Sequence, residues 1–355
     1  MKFLVLGATF EAVMAAEMLG GINGVERIWT LSGGPSDAAH YAVASSFLTT
    51  PSALRSAPAR SIERVCLRDR WGKHLMGHRL DGYRTIKLGG QALRGPVLET
   101  LDPGLQLVRC RKEAEGIACQ MSDGSELLCT GVLFADGPRS KARELMERTS
   151  RSRWDPLSVA CWSFVRQDPL ALKSWEFRTD LGKSVELLPL PEGLVRVKLR
   201  FRTPNGARLL PAELRDLFSE FGPDLAALLE DLPPDSISFW DDEEPPRVAF
   251  SPLPGTLAVG QAALGIPLLE SFDWALRLAK HQLDRVVESL LAQHWDPSAW
   301  EPACQEALRP MMASERYLRG SLHYDNALLR PLRDLLMRVI PAGVLLERVK
   351  SRLSF

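Results

Sequence analysis

The chain opens on a short apolar run, KFLVL at 2–6, of the kind that fills a parallel strand buried on both faces, and Gly7 ends it. A helical pattern follows at 11–19, and 25–31 (VERIWTL) reads as a second strand, so the first 32 residues predict a βαβ unit. Residues 33–60, rich in Ser, Ala and Pro, predict an irregular loop. Alternating apolar and charged positions at 61–88, around Gly72 and Gly77, predict a hairpin, and 91–101 predicts a helix. Strands are expected at 105–110, 116–121 and 126–135, the last two joined by the SDGS turn at 122–125. From 158 to 202 the pattern is almost entirely β. Its clearest element sets Val195, Val197, Leu199 and Phe201 against Arg196, Lys198, Arg200 and Arg202, a period of two. The expected reading of that basic face is the solvated side of an antiparallel sheet, with anion binding as the alternative.

Leu214, Leu217, Phe218 and Phe221 share one helical face, Gly222-Pro223 breaks it, and Leu225, Leu228, Leu229 and Leu232 resume it. Residues 241–254 read as a connector, 256–260 (TLAVG) as a buried strand, and 273–295 as a long amphipathic helix. Near the end Leu332, Leu335, Leu336, Val339 and Ile340 form a helical stripe before Pro341. Packing on the chain's own core is the expected use of that stripe, with a membrane surface or a partner as alternatives.

Composition narrows the classes. Of 355 residues, 45% are hydrophobic and 25% charged, and 44 basic side chains balance 44 acidic ones. Zero net charge argues against broad salt-driven binding to nucleic acid. No segment approaches the ~18 uninterrupted apolar residues of a membrane span. Glu11 interrupts the apolar amino-terminal stretch and Glu17 stands where a signal peptide would be cleaved, so a buried strand and helix explain it better. Six cysteines without a CxxC pair or zinc spacing read as reduced thiols, which places the protein in the cytoplasm. His74 and His78 are four apart but in a strand-like segment, so no metal site is expected. GxSxG, Walker and HExxH motifs are absent, and no catalytic residue is assigned.

Three separated stretches carry more. Gly7, Ala8, Thr9, Phe10, Glu11 and Ala12 occupy the six positions of a dinucleotide fingerprint; VLFADGPRSKAR spans 132–143; LAVGQAALGIPLLESFDWA spans 257–275. In this order they resemble the FAD-dependent aromatic hydroxylases, the p-hydroxybenzoate hydroxylase-like class A flavoprotein monooxygenases. The second stretch is similar to that family's "ADG…S..R" motif and the third to its "GDAAH..PP..G.G" motif. The resemblance implies an α/β fold: a Rossmann-like FAD/NAD(P)-binding domain, an inserted β-sheet substrate domain and C-terminal helices. The corresponding spans are 1–60, 89–150 and 251–300 for the FAD-binding-like domain, 61–88 with 151–250 for the β-rich substrate domain, and 301–355 for the C-terminal segment. It further implies FAD and NAD(P)H as cofactors and an aromatic or polycyclic small molecule as substrate. Trp162, Phe164, Trp175, Phe177 and Trp240 are candidates for an aromatic-lined pocket or, more ordinarily, for sheet core. Cofactor-binding positions carried over are Gly7, Thr9, Ala12, Ser32, Arg94, Asp136, Gly137, Arg143, Gly260, Gln261 and Pro267.

Several of these positions depart from the family's pattern. Thr9 puts a branched side chain where the second glycine admits the pyrophosphate, and Glu11 adds negative charge to a helix start suited to anions. Ser32 stands where a carboxylate would hold the ribose, Gln261 replaces the aspartate of the third motif, and Leu264 replaces its histidine. Glu270 and Asp273 replace glycines that would bring a helix end to the flavin. The family reading is a flavoprotein monooxygenase-like oxidoreductase, and the departures count against FAD binding; the alternative is a cofactor-free or altered-cofactor descendant that catalyses a non-redox step such as cyclisation or isomerisation, or a non-catalytic partner in a biosynthetic pathway.

Overall fold

The computed structural model describes residues 1–31, 40–45, 57–88, 96–137, 140–142, 159–202, 210–233, 236–242, 250–264, 274–292, 295–306 and 329–339. The chain begins with β1 (Lys2–Leu6), α1 (Phe10–Gly20) and β2 (Arg27–Leu31), then β3 (His40–Ser45), β4 (Ala59–Asp69), β5 (His74–Leu88) and β6 (Leu98–Thr100). β7 (Leu107–Glu113), β8 (Gly116–Met121), β9 (Glu126–Cys129) and β10 (Gly131–Phe134) follow. After them come β11 (Val159–Gln167), β12 (Ser174–Asp180), β13 (Lys183–Leu190), β14 (Leu194–Arg202), α2 (Pro211–Phe218), α3 (Pro223–Leu229) and β15 (Ser238–Asp242). β16 (Thr256–Ala258), α4 (Gln261–Leu264), α5 (Trp274–Leu291) and α6 (Arg330–Val339) complete the series.

Five strands form a parallel sheet in the order β16-β10-β1-β2-β6. Phe3, Leu4, Val5 and Leu6 are buried on both of its faces, as the apolar run requires. α1 covers one side and is itself buried almost all round, from Phe10 to Ala16 and at Leu19. The antiparallel meander β7-β8-β9 packs Leu107, Ile117 and Met121 into the same core, and α5 adds Leu278, Leu283 and Val286.

Eight strands form the second sheet, β15-β11-β14-β13-β12-β4-β5-β3, antiparallel except for β12 beside β4. One face carries Trp162, Phe164, Val185, Leu187, Val197 and Leu199 under α2 and α3, whose Leu214, Phe218, Leu225 and Leu228 meet them. Arg178 fastens those helices. One guanidinium nitrogen donates to the Phe221 carbonyl and to Asp224 Oδ1, both at 2.9 Å, and the other donates to Asp224 Oδ2. Trp175 and Phe177 pack with Leu67, Tyr83 and Leu188. The described aromatic candidates are therefore sheet core; for Trp240 only the backbone is described, paired with Cys161.

Several expected elements change. Within 33–60, residues 40–45 are strand, paired with β5, and β4 already begins at Ala59. Of the helix expected over 91–101, residues 98–100 are instead strand, with Leu98 paired to Ile28 at the edge of the parallel sheet. Residues 91–95 lie outside the described residues. The single strand expected over 126–135 is two strands in two sheets, divided at Thr130, whose amide donates to the Lys2 carbonyl at 2.6 Å. Gly131 makes the close approach possible, since a side-chain carbon there would lie 2.7 Å from Trp295 and 2.8 Å from Phe3.

The basic face of β14 is the largest correction. Lys198 and Arg200 are each 1% exposed and rank among the largest fully buried side chains. Arg200 Nη2 lies 2.5 Å from Glu186 Oε2, Arg196 Nη2 lies 3.8 Å from Glu186 Oε1, and Trp175 Nε1 donates to Glu186 Oε1 at 3.2 Å. Burial pushes the Glu186 carboxyl up, but Arg200, Lys198 and Arg196 outweigh it and hold it below the ordinary carboxylate range. The alternation was real; its polar side is a buried ion-pair cluster around Glu186.

At the carboxyl-terminal stripe two of the five side chains are described, and both differ from the expected packing on the core. On α6 Arg333 is buried, whereas Leu332 and Leu335 are exposed. The side chains of Leu336 and Val339, and all of Ile340, lie outside the described residues.

Candidate cofactor and ligand site

In an open parallel sheet, ligands sit outside the carboxyl ends of the strands, at the point where the connections diverge. Here β1 lies between β2 and β10, and Gly7, Asp136 and Gly260 stand just beyond the ends of β1, β10 and β16. Gly7 has φ 119°, and a side-chain carbon on it would lie 2.1 Å from the Ala135 carbonyl oxygen. Its amide donates to the Leu31 carbonyl at 2.8 Å, so the turn is locked to both neighbouring strands. Gly7→Ala is expected to lower unfolding free energy by about 2–5 kcal/mol, from the strained φ and the overpacking together. Urea denaturation checks it, and a wild-type midpoint would show that the turn relaxes freely.

Thr9 caps α1. Its Oγ1 accepts from the Ala12 amide at 3.4 Å and donates to the Ala135 carbonyl at 2.7 Å, tying the helix start to β10. The hydroxyl thus satisfies one of the orphan amides that a diphosphate would use. Ala12 is fully buried. Glu11 is 4% exposed, and its Oε1 accepts from the Gln261 amide at 3.4 Å, the first residue of α4. A carboxyl group of the chain itself therefore lies in the first turn of α1 and reaches the start of a second helix, where positive backbone potential gathers.

Gly137 faces the same small volume. A side-chain carbon on it would lie 3.8 Å from Thr9 Cγ2 and 3.9 Å from Gln261 Oε1, at φ 83°. Asp136 Oδ2 accepts from the Lys141 amide at 2.7 Å, and Ser140 Oγ accepts from Ala142 N at 3.1 Å, so the middle motif starts a helix. Gly260, with φ 55°, donates to Gln282 Oε1 at 2.9 Å, while Gln282 Nε2 donates to the Ala258 carbonyl at 2.8 Å. Gln282, fully buried on α5, holds the end of β16 and was not among the sequence candidates; a lone polar residue between Leu278, Ala279 and Leu283 was its signal.

Gly7, Thr9, Gly137 and Gln261 are thus brought together with Glu11, while Ala12, Asp136 and Gly260 support them. Ser32, Arg94, Arg143 and Pro267, with Glu270 and Asp273, lie outside the described residues. Other chemistry is sparse. Among the described residues no group of metal-ligating side chains converges, and no helix is long and apolar enough to cross a membrane. All six cysteines are free and buried. Cys110 Sγ lies 3.9 Å from Cys119 Sγ, and that hydrogen bond, then burial, push the Cys110 thiol up, away from thiolate reactivity.

No protein-family model and no curated protein matches the chain. Solved structures do. HpxO of Klebsiella pneumoniae complexed with FAD and uric acid has a TM-score of 0.73 at 17% identity, covering 99% of this chain and 96% of that one. The chain has the fold of the FAD-dependent aromatic hydroxylases. A salicylate hydroxylase substrate complex gives 0.69 at 13% identity over 99% and 97% of the two chains. PqsL, a probable FAD-dependent monooxygenase from Pseudomonas aeruginosa, gives 0.62 at 17% over 95% and 98%. HpxO, which shares this fold, is complexed with FAD. The residues lining the crevice described above do not fit an FAD diphosphate: the Thr9 hydroxyl caps the Ala12 amide of α1, and the Glu11 carboxyl takes the Gln261 amide at the start of α4.

Proposed function

We propose that this chain is a monooxygenase-like protein of the hydroxylase fold that handles an aromatic or polycyclic small molecule without a resident flavin. Its step is non-redox, such as a cyclisation or isomerisation, or it acts as a binding partner in small-molecule biosynthesis. The observation that carries this reading is Glu11: a buried carboxyl group spanning the starts of α1 and α4 does, inside the protein, what a cofactor phosphate does elsewhere. The substrate class is supported by the similar proteins, one complexed with uric acid and another named as a salicylate hydroxylase.

The test is thermal unfolding of the purified full-length chain with and without FAD. A ligand binding the native state alone stabilises it by about 2.7 kcal/mol at a hundred times its Kd, which moves Tm by several degrees. A colourless protein with an unchanged Tm in excess FAD is the expected outcome. A second reading, a working FAD-dependent hydroxylase using NAD(P)H, is favoured by Gly7, Gly137 and Gly260, which keep the positive-φ turns of the three motifs. A yellow preparation, or an FAD-dependent rise in Tm, establishes that reading and removes the first.

A further inference from the structure

On α6 the leucines whose side chains are described, Leu332 and Leu335, face outward while Arg333 is buried. The inner side of the helix is ionic. Arg330 Nη1 lies 2.8 Å from Asp180 Oδ1, Arg333 Nη2 lies 2.6 Å from Asp334 Oδ1, and Arg333 is buried. Arg70, just beyond β4, shares Asp180 through a 3.1 Å contact with the other oxygen. Trp71, at the tip of the β4–β5 hairpin, stands between the two arginines: their guanidinium carbons lie 4.3 Å (Arg70) and 5.2 Å (Arg330) from its ring centroid. This network clamps the helix to the hairpin tip. It leaves Leu332 (52%), Leu335 (55%) and the Trp71 ring (68%) exposed. A helix held by packing alone would bury its leucines and present its arginines.

The charge of this corner indicates what covers it. Lys73 and His74 at the hairpin tip and Arg338 on α6 are exposed beside the apolar side chains. Among the described residues α6 carries Arg330, Arg333 and Arg338 against Asp334 alone, and Glu220, 3.0 Å from Arg70, is an acidic side chain facing the hairpin tip. Basic charge gathered around exposed tryptophan and leucine is the pattern of a segment lying in a lipid interface: apolar side chains enter the headgroup boundary while cations meet anionic lipid.

We propose that the hairpin tip and α6 form a docking face for an anionic membrane surface, on which the protein rests without crossing. The surface does not depend on whether flavin is bound. The test is vesicle flotation of the full-length chain with phosphatidylcholine vesicles, with and without phosphatidylglycerol. The wild type is expected to float with the anionic vesicles, to stay behind with the neutral ones, and to be released by high salt. Leu332→Glu with Leu335→Glu is expected to cut vesicle binding about tenfold or more with the circular dichroism spectrum unchanged, since both side chains face solvent. Trp71→Ala, away from the helix, is expected to weaken binding in the same direction. A wild type that ignores anionic vesicles at low salt, or a double glutamate variant that floats like wild type, overturns the proposal. So does a wild type whose exposed face instead drives concentration-dependent self-association without vesicle binding.

Discussion

Glu186→Ala is expected to destabilise the protein by about 3–5 kcal/mol, the usual cost of removing one partner from a buried ion pair. The carboxylate accepts from Trp175 and sits 2.5 Å from Arg200, and both it and Arg200 are 1% exposed by side chain. Water cannot replace it, so the truncation removes a buried counter-charge and leaves a cavity at the same point. Glu186→Gln separates the two losses. It keeps the volume and the acceptor for Trp175 while removing the charge, so a variant falling between wild type and alanine marks the Coulomb part. The pH dependence has a fixed sign. Because the native carboxyl is held below its ordinary range, its contribution is fully present at neutral pH and disappears as the pH falls through the depressed native value. The gap between wild type and Glu186→Gln in urea denaturation should therefore be widest near neutrality and narrow on acidification. A gap that widened in acid would mean that Glu186 is stored protonated and that the cluster is not an ion pair.

The same cluster shows where local pattern stops being informative. Alternation in β14 fixed the strand and its two faces, since side chains must point to opposite sides of a pleat. It does not say what lies over the polar side. Its counter-charge comes from the neighbouring strand β13, which places Glu186 in register with Lys198. α6 repeats the lesson: the spacing of Leu332 and Leu335 defines a helical face, but the ion pairs of Arg330 and Asp180, far apart in sequence, decide which face turns inward. The βαβ start and the strand at 256–258 were legible because a buried parallel strand has no polar side to hide. The break at Thr130 was not, because both halves of 126–135 are strand and only their sheets differ. At the candidate site the three motifs located Gly7, Gly137 and Gly260 correctly in relation to the strand ends, and Thr9 and Glu11 were visible as departures. What replaced the missing contacts was not visible. Thr9 as a cap bonded to Ala135, and Glu11 as acceptor for Gln261, join residues more than a hundred positions apart.

That replacement leads to a gain-of-binding result. Thr9→Gly with Glu11→Ala and Gln261→Asp is expected to bind FAD at least about a hundredfold more tightly than the wild type, because it frees two backbone amides, hydrogen bonds to a charged group contribute about 1.5–3 kcal/mol each, and each 1.4 kcal/mol is a factor of ten. The glycine frees the Ala12 amide and removes the branched carbon facing Gly137. Loss of Glu11 releases the Gln261 amide and takes a negative charge from the first turn of α1, leaving two helix starts open to an anion. The aspartate restores the carboxylate that the hydroxylase pattern has at 261. The cap substitution costs a few tenths of a kcal/mol, and loss of the bond to the Ala135 carbonyl adds about 1 kcal/mol. Circular dichroism and a cooperative thermal transition check that the triple variant is folded before FAD is added. Flavin absorbance after gel filtration, and quenching of free FAD fluorescence on titration, read the outcome directly. Comparing the triple variant with Thr9→Gly/Gln261→Asp isolates Glu11: if the carboxyl group is the internal stand-in for phosphate, most of the gain appears only when it is removed. A triple variant that is folded yet still colourless and indifferent to FAD would place the obstruction outside the α1–α4 crevice, and the reading built on Glu11 would fail with it.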